Sequence, residues 1–316
     1  AQNFTSATDT LNTAIGYNAM YRTSTTEQST AVGANSMNGI TTGNFNSAFG
    51  AYSMQSVTSG QRNTGLGRSS LQSLTEGSYN SAIGMDALGA LATNNNNTAV
   101  GYAAAATVTG EGNTFIGKSA GATATSSDYT VAIGVNAGGS SGVMTGNENV
   151  FIGSASGDAT TSGHSNTALG ANTLGSLTSQ NYNTAIGHNA GNNCTGGSNV
   201  FVGRVAGGNA AHTGDGNVLI GAEAGKDVTG GSNNVVVGKD AGRGITTSDN
   251  NVYVGQLCAE GGNGHSNVGV GNQALQTGAG NSNVGIGWSA GEDLTGTTNT
   301  FVGPEAGREA TSTDGS

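Results

Sequence analysis

One proline, two cysteines and one tryptophan occur in 316 residues, and charged side chains make up only 9% of the chain. Aromatic residues are 5% and the apolar fraction is 34%, against roughly half apolar and about a quarter charged in an ordinary globular domain. No apolar run approaches the ~18 residues that a membrane-crossing helix needs. Nine Lys and Arg stand against nineteen Asp and Glu. A net charge of −10 with scattered cations offers no basic face, so nucleic acid is not an expected partner. The two cysteines are too few for a disulfide framework. Collagen is excluded because proline is nearly absent and glycine has no three-residue period. Long amphipathic helices are excluded because glycine interrupts every apolar stripe. The N-terminal segment has neither a basic nor an apolar leader region.

Glycine and asparagine are abundant, with 57 and 37 residues. They follow a repeat, Asn-[Thr/Val]-x-[apolar]-Gly-x-x-[small], which begins at Asn12 and has its last copy at Asn299. Its glycine recurs eighteen times from Gly16 to Gly303, at intervals of 16 to 19 residues and mostly 17. A fixed period of this size marks a stacked repeat architecture, in which each unit needs its neighbour to bury its apolar residues. The repeat is expected to fill residues 12–307, flanked by an N-terminal extension (1–11) and a polar tail (308–316).

Positions are counted from each repeat glycine. Position −1 is Ile, Val, Leu or Phe in every copy, and −3 changes from Thr or Ser to mostly Val along the chain. The two-residue alternation of a short strand puts −3 and −1 on one face and −2 on the other. The −3/−1 face is assigned to the core. The −2 column, with Phe115, Phe151, Phe201, Tyr253 and Phe301, is assigned to a second apolar face serving as an interchain seam. Position +3 is always small. Asparagine fills −4 in all copies but two, where Ser29 and Thr130 stand, and its amide can donate and accept along a stack. The expected fold is all-β, a parallel β-solenoid or β-roll of about 18 coils.

Copies such as NTAIGYNA, NSAIGMDA and NTAIGHNA resemble the head repeats of trimeric autotransporter adhesins and the repeat shafts of tail-fibre-like surface proteins. The segment from Thr130 to Ala137, TVAIGVNA, resembles the adhesin motif most. The resemblance implies a left-handed roll, three identical chains side by side, an extracellular, cell-surface or virion location, and a role in fibres or attachment. End-to-end joining of such rods into a filament is a further expectation.

No nonrepeating cluster of acid, base and nucleophile appears, so a non-catalytic protein is expected and a polysaccharide depolymerase is a distant alternative. Loop strings such as TGDGN and TGEGN lack the nonapeptide of calcium-binding solenoids, so no cofactor is expected and calcium is the weak exception. Cys194 and Cys258 lie four coils apart, too far to bridge; Cys258 reads as a small buried residue. His164, His188, His212 and His265 read as solvated loop residues. The variable row at +1 and +2 is the candidate glycan- or surface-binding strip, with Tyr17, Tyr52, Arg68, Tyr102, His188, Arg204 and Trp288 as its main residues. Asp86, Lys118, Glu223 and Lys239 share that row. An ice-binding threonine ladder is set aside because −3 is assigned to the core.

Overall fold

The computed structural model describes residues 11–139, 142–278, 280–310 and 315. Most of the flanking segments 1–11 and 308–316 therefore lies outside the described residues. The described chain is an all-β parallel solenoid. It divides into two units, residues 1–164 and 165–316. The first carries nine strands, β1 (Thr13–Ile15) to β9 (Val150–Ile152); the second carries nine more, β10 (Thr167–Leu169) to β18 (Thr300–Val302). Each strand is three residues long and spans −3 to −1 of one repeat. Within each unit, successive strands pair in parallel with −3 opposite −3, −2 opposite −2 and −1 opposite −1. In-register pairing stacks like residues into columns, about 4.8 Å apart.

Three residues of strand hold little by themselves, so the coil depends on its corners. Each repeat glycine has φ between +129° and +145°, a conformation that a side chain rarely adopts. The columns also close tightly there: a Cβ on Gly33 would stand 2.5 Å from the carbonyl oxygen of Gly50. The −4 asparagines after Asn12 are completely buried and form the amide ladder that the sequence suggested. In the first unit, the Asn63 backbone N–H donates to Asn46 Oδ1 at 3.0 Å, and Asn63 Nδ2 donates to the Gly77 carbonyl at 2.8 Å. Asn199, Asn217 and Asn234 repeat the pattern in the second unit. The ladder satisfies polar groups that would otherwise be buried unpaired; Asn267 Nδ2 is an exception.

The strand faces are reversed from the sequence assignment. Position −2 points inward: Ala31, Ala48, Phe115, Phe151, Phe201 and Tyr253 have no exposed surface. Position −1 points outward, with Ile15 60%, Leu66 48%, Ile186 39% and Ile286 40% exposed. The −2 aromatics are therefore core residues of their own chain; Phe301 is half-buried. Phe115, Phe151, Phe201 and Tyr253, being fully buried, are not available as a seam toward another chain, contrary to the sequence assignment.

Two interior columns explain why −2 can lie inside. Position +4 supplies Met20, Met37, Met54, Leu71 and Leu88, and +7 supplies Ile40, Val57, Leu74, Leu91 and Val108, all buried. The −2 and +4 side chains share one space. Small −2 residues face large +4 residues, as in Ala48 with Met54 and Ala82 with Leu88. Large −2 residues face glycine, as in Phe115 with Gly121 and Phe201 with Gly207, where a Cβ on the glycine would overlap the ring. Where both are small, as in Ala185 with Gly191, Phe201 and Leu174 of the adjacent coils close on the glycine, as close packing demands.

Candidate binding surfaces

The reversal turns the most regular apolar residues of the repeat toward solvent. In the first unit the outward face pairs a hydroxyl column (Thr13, Thr30, Ser47, Thr64, Ser81, Thr98, Thr114, then Val131 and Val150) with the aliphatic −1 column. In the second unit, Val200, Val218, Val235, Val252, Val268 and Val284 replace most of the hydroxyls, so both columns are apolar. Val235, Val252, Val254 and Val270 are each 36–37% exposed. Ladder neighbours above and below cover the rest of each side chain. The −1 column of each unit runs about 40 Å, and the paired apolar columns of the second unit, from Val200 to Val284, run about 24 Å at the strand spacing.

The reason for setting aside an ice-binding ladder no longer holds, since the −3 threonines are not in the core. The face is nevertheless not a regular lattice, because Phe49 and Leu66 interrupt the β-branched −1 column and stand 41% and 48% exposed.

The +1/+2 row is on the surface: Tyr17 is 75% exposed, and Tyr52, Arg68, Tyr102, His188, Arg204 and Trp288 are exposed as well. These residues do not converge on one pocket. Arg204 is engaged by Glu223 at 2.5 Å, and Lys226 reaches the same carboxylate at 2.8 Å. These two cations pull the Glu223 carboxyl down to about 2. Arg308 lies 6.0 Å from the Trp288 ring centroid. In the second unit, Lys239 pairs with Asp240, Arg243 with Asp227 and Glu260, and Arg308 with Glu292 and Glu305.

One exposed row escaped the sequence reading. Position −5 adopts a left-handed φ near +55° to +61° in successive coils and projects Phe45, Arg62 and Tyr79 outward. The Arg62 guanidinium sits 5.1 Å from the Phe45 ring centroid and 5.4 Å from that of Tyr79. Its Nη1 donates to Tyr79 Oη at 3.0 Å. The stacking of −5 on −5 was available from the repeat period, but the row varies too much in composition to look like a pattern.

The histidines divide. His188 is exposed and His265 is about half exposed, its Nδ1 accepting from the Asp249 backbone N–H at 3.0 Å. His212, contrary to the solvated assignment, is fully buried. It bridges to Cys194 of the preceding coil and meets the Phe201 ring edge-on at 5.3 Å. Its Nδ1–H donates to the Val228 carbonyl at 3.2 Å, leaving Nε2 to accept from Asn217 Nδ2 at 3.2 Å. Burial lowers the His212 pKa below its ordinary value and pushes the Cys194 thiol up to about 12. The pair is neutral, not a thiolate–imidazolium couple. Cys258 is buried, as the sequence suggested, and both thiols are free. Among the described residues no three His, Cys, Asp or Glu side chains gather as metal ligands, and no helix is long and apolar enough to cross a membrane.

Comparison with protein-family models and with curated proteins finds no match for this chain.

Proposed function

We propose that this chain is a non-catalytic structural subunit of an extracellular fibre or filament, a shaft or adhesin head that assembles from identical copies through its outward −3/−1 face. The observation that carries this reading is the pair of aliphatic columns left in solvent on the second unit. Contiguous apolar surface of this length is unusual on a monomer and marks an interface. Identical chains offer the best match, since each presents the same in-register columns. Three copies around one axis is the arrangement that the resemblance to adhesin heads and tail-fibre shafts supports, and a surface or virion location accompanies it.

Light scattering tests the assembly. The expected mass is three times the 30.8 kDa of one chain. Val237→Lys with Val254→Lys is expected to give a folded monomer, because the substituted side chains face outward. A folded wild-type monomer at all concentrations would refute the reading.

A second reading, a glycan- or surface-binding module, is favoured by the exposure of Tyr17, Tyr102 and Trp288 along the +1/+2 row. Glycan-array binding lost on Tyr102→Ala or Trp288→Ala supports it. Product release from a polysaccharide would instead favour the depolymerase alternative.

A further inference from the structure

We infer that Phe45, Arg62 and Tyr79 form a binding site for the acidic group of an anionic sugar, an inference that rests on the surface-binding reading. The argument begins with the backbone. The N–H groups of Phe45, Arg62 and Tyr79 donate to the carbonyls of Glu27, Asn44 and Gln61 in the preceding coils, at 3.0–3.1 Å. The three Cα atoms are therefore fixed one above another on the stack. Their left-handed φ values of 60°, 55° and 61° aim the side chains away from the solenoid.

The guanidinium is then held in place without a carboxylate. Two ring faces and the Tyr79 hydroxyl restrain it, and no ion pair to Arg62 occurs among the described residues. In the second unit, by contrast, all five Lys and Arg side chains are ion-paired. Arg62 has further N–H donors in a planar fork that matches a carboxylate or sulfate. Because the fork is already oriented, little side-chain freedom is lost when an anion binds.

Phe45 and Tyr79 remain 41% and 54% exposed beside it. Their exposed edges give apolar contact on both sides of the cation for the C–H groups of a pyranose. The platform is shallow and open. It fits one charged sugar residue displayed on a chain, and it lacks a pocket for an apolar peptide side chain.

Affinity electrophoresis of the native protein through gels holding alginate, dextran sulfate or neutral dextran tests the site. Retardation by alginate assigns a carboxylate ligand, and retardation by dextran sulfate assigns a sulfate. Arg62→Gln is expected to weaken that retardation at least tenfold while the circular dichroism spectrum and thermal midpoint stay unchanged. Arg62→Lys, which keeps the charge but loses the fork, is expected to recover only part of it. The site is refuted if neither anionic polymer retards the protein, or if Arg62→Gln binds as the native chain does. Binding that survives Arg62→Gln but is lost in Tyr102→Ala or Trp288→Ala would refute this site and leave the surface-binding reading intact. Failure to bind any polymer or arrayed glycan would end both.

Discussion

Gly121 lies so close to Phe115 that a Cβ on the glycine would overlap the Cδ1 and Cε1 atoms of the ring. The two residues are six apart, at +4 and −2 of one repeat, and they share one interior space. Phe115→Ala alone is expected to destabilise the protein by about 3–5 kcal/mol through the cavity it leaves. Gly121→Leu alone is expected to be comparably harmful through overlap. The double variant recreates the Ala82–Leu88 arrangement, and Leu88 already adopts the required φ of 49°. It is expected to recover at least ~2 kcal/mol of the summed loss, measured as a double-mutant cycle in urea.

The reversed strand face separates neighbouring substitutions. Ile186→Asp is expected to leave the fold of an isolated chain nearly unchanged, within about 1 kcal/mol, because that side chain is 39% exposed. Ala185→Asp puts a carboxylate beside the interior column and is expected to cost several kcal/mol or prevent folding. Thermal melts of both variants in a monomeric background decide it. Equal losses would overturn the outward placement of −1.

The amide ladder carries its own cost. Asn63 Oδ1 accepts from the backbone N–H and Nδ2 of Asn80, while its Nδ2 donates to the carbonyl of Gly77. Asn63→Ala strands these groups in a dry interior, and a loss of about 2–4 kcal/mol is expected. Asn63→Ser, which keeps one polar atom as Ser29 does, is expected to lose less. Urea midpoints compare the two.

His212 makes stability fall with acid. Its folded pKa is depressed below 6.5 by burial, so above about pH 6.5 the imidazole is neutral in both folded and unfolded chains and its contribution is complete. As pH falls below that value the unfolded chain takes up the proton first. Stability is then lost progressively until the folded pKa is reached. Protonated Nε2 would also confront the Asn217 amide, donor against donor. His212→Gln retains polar groups without titrating. It is expected to show a flatter dependence of the urea midpoint between pH 7.5 and 5 than the native chain, and matching slopes would count against this account.

How much of this was legible follows from what a period records. Eighteen glycines at 16–19 residues require a stack, and asparagine at −4 indicates the ladder. His212 illustrates where offsets mislead. Its coil has 18 residues, so counting from Gly203 gives it a different position from Cys194. Counting back from the following glycine puts both at −9, which is how they stack.

Sequence alone therefore determined the parallel solenoid, its register, its corners and its polar ladder, because those are properties of spacing. It did not determine which way a three-residue strand faces. Alternation separates −2 from −3 and −1 but gives neither side a direction. That choice lay with the +4 and +7 columns, where Met54, Leu71, Ile40 and Val57 fill the interior and leave room inside only for a −2 side chain of complementary size. Packing around the whole coil, rather than hydrophobicity along the strand, turned Ile186 outward and Phe201 inward.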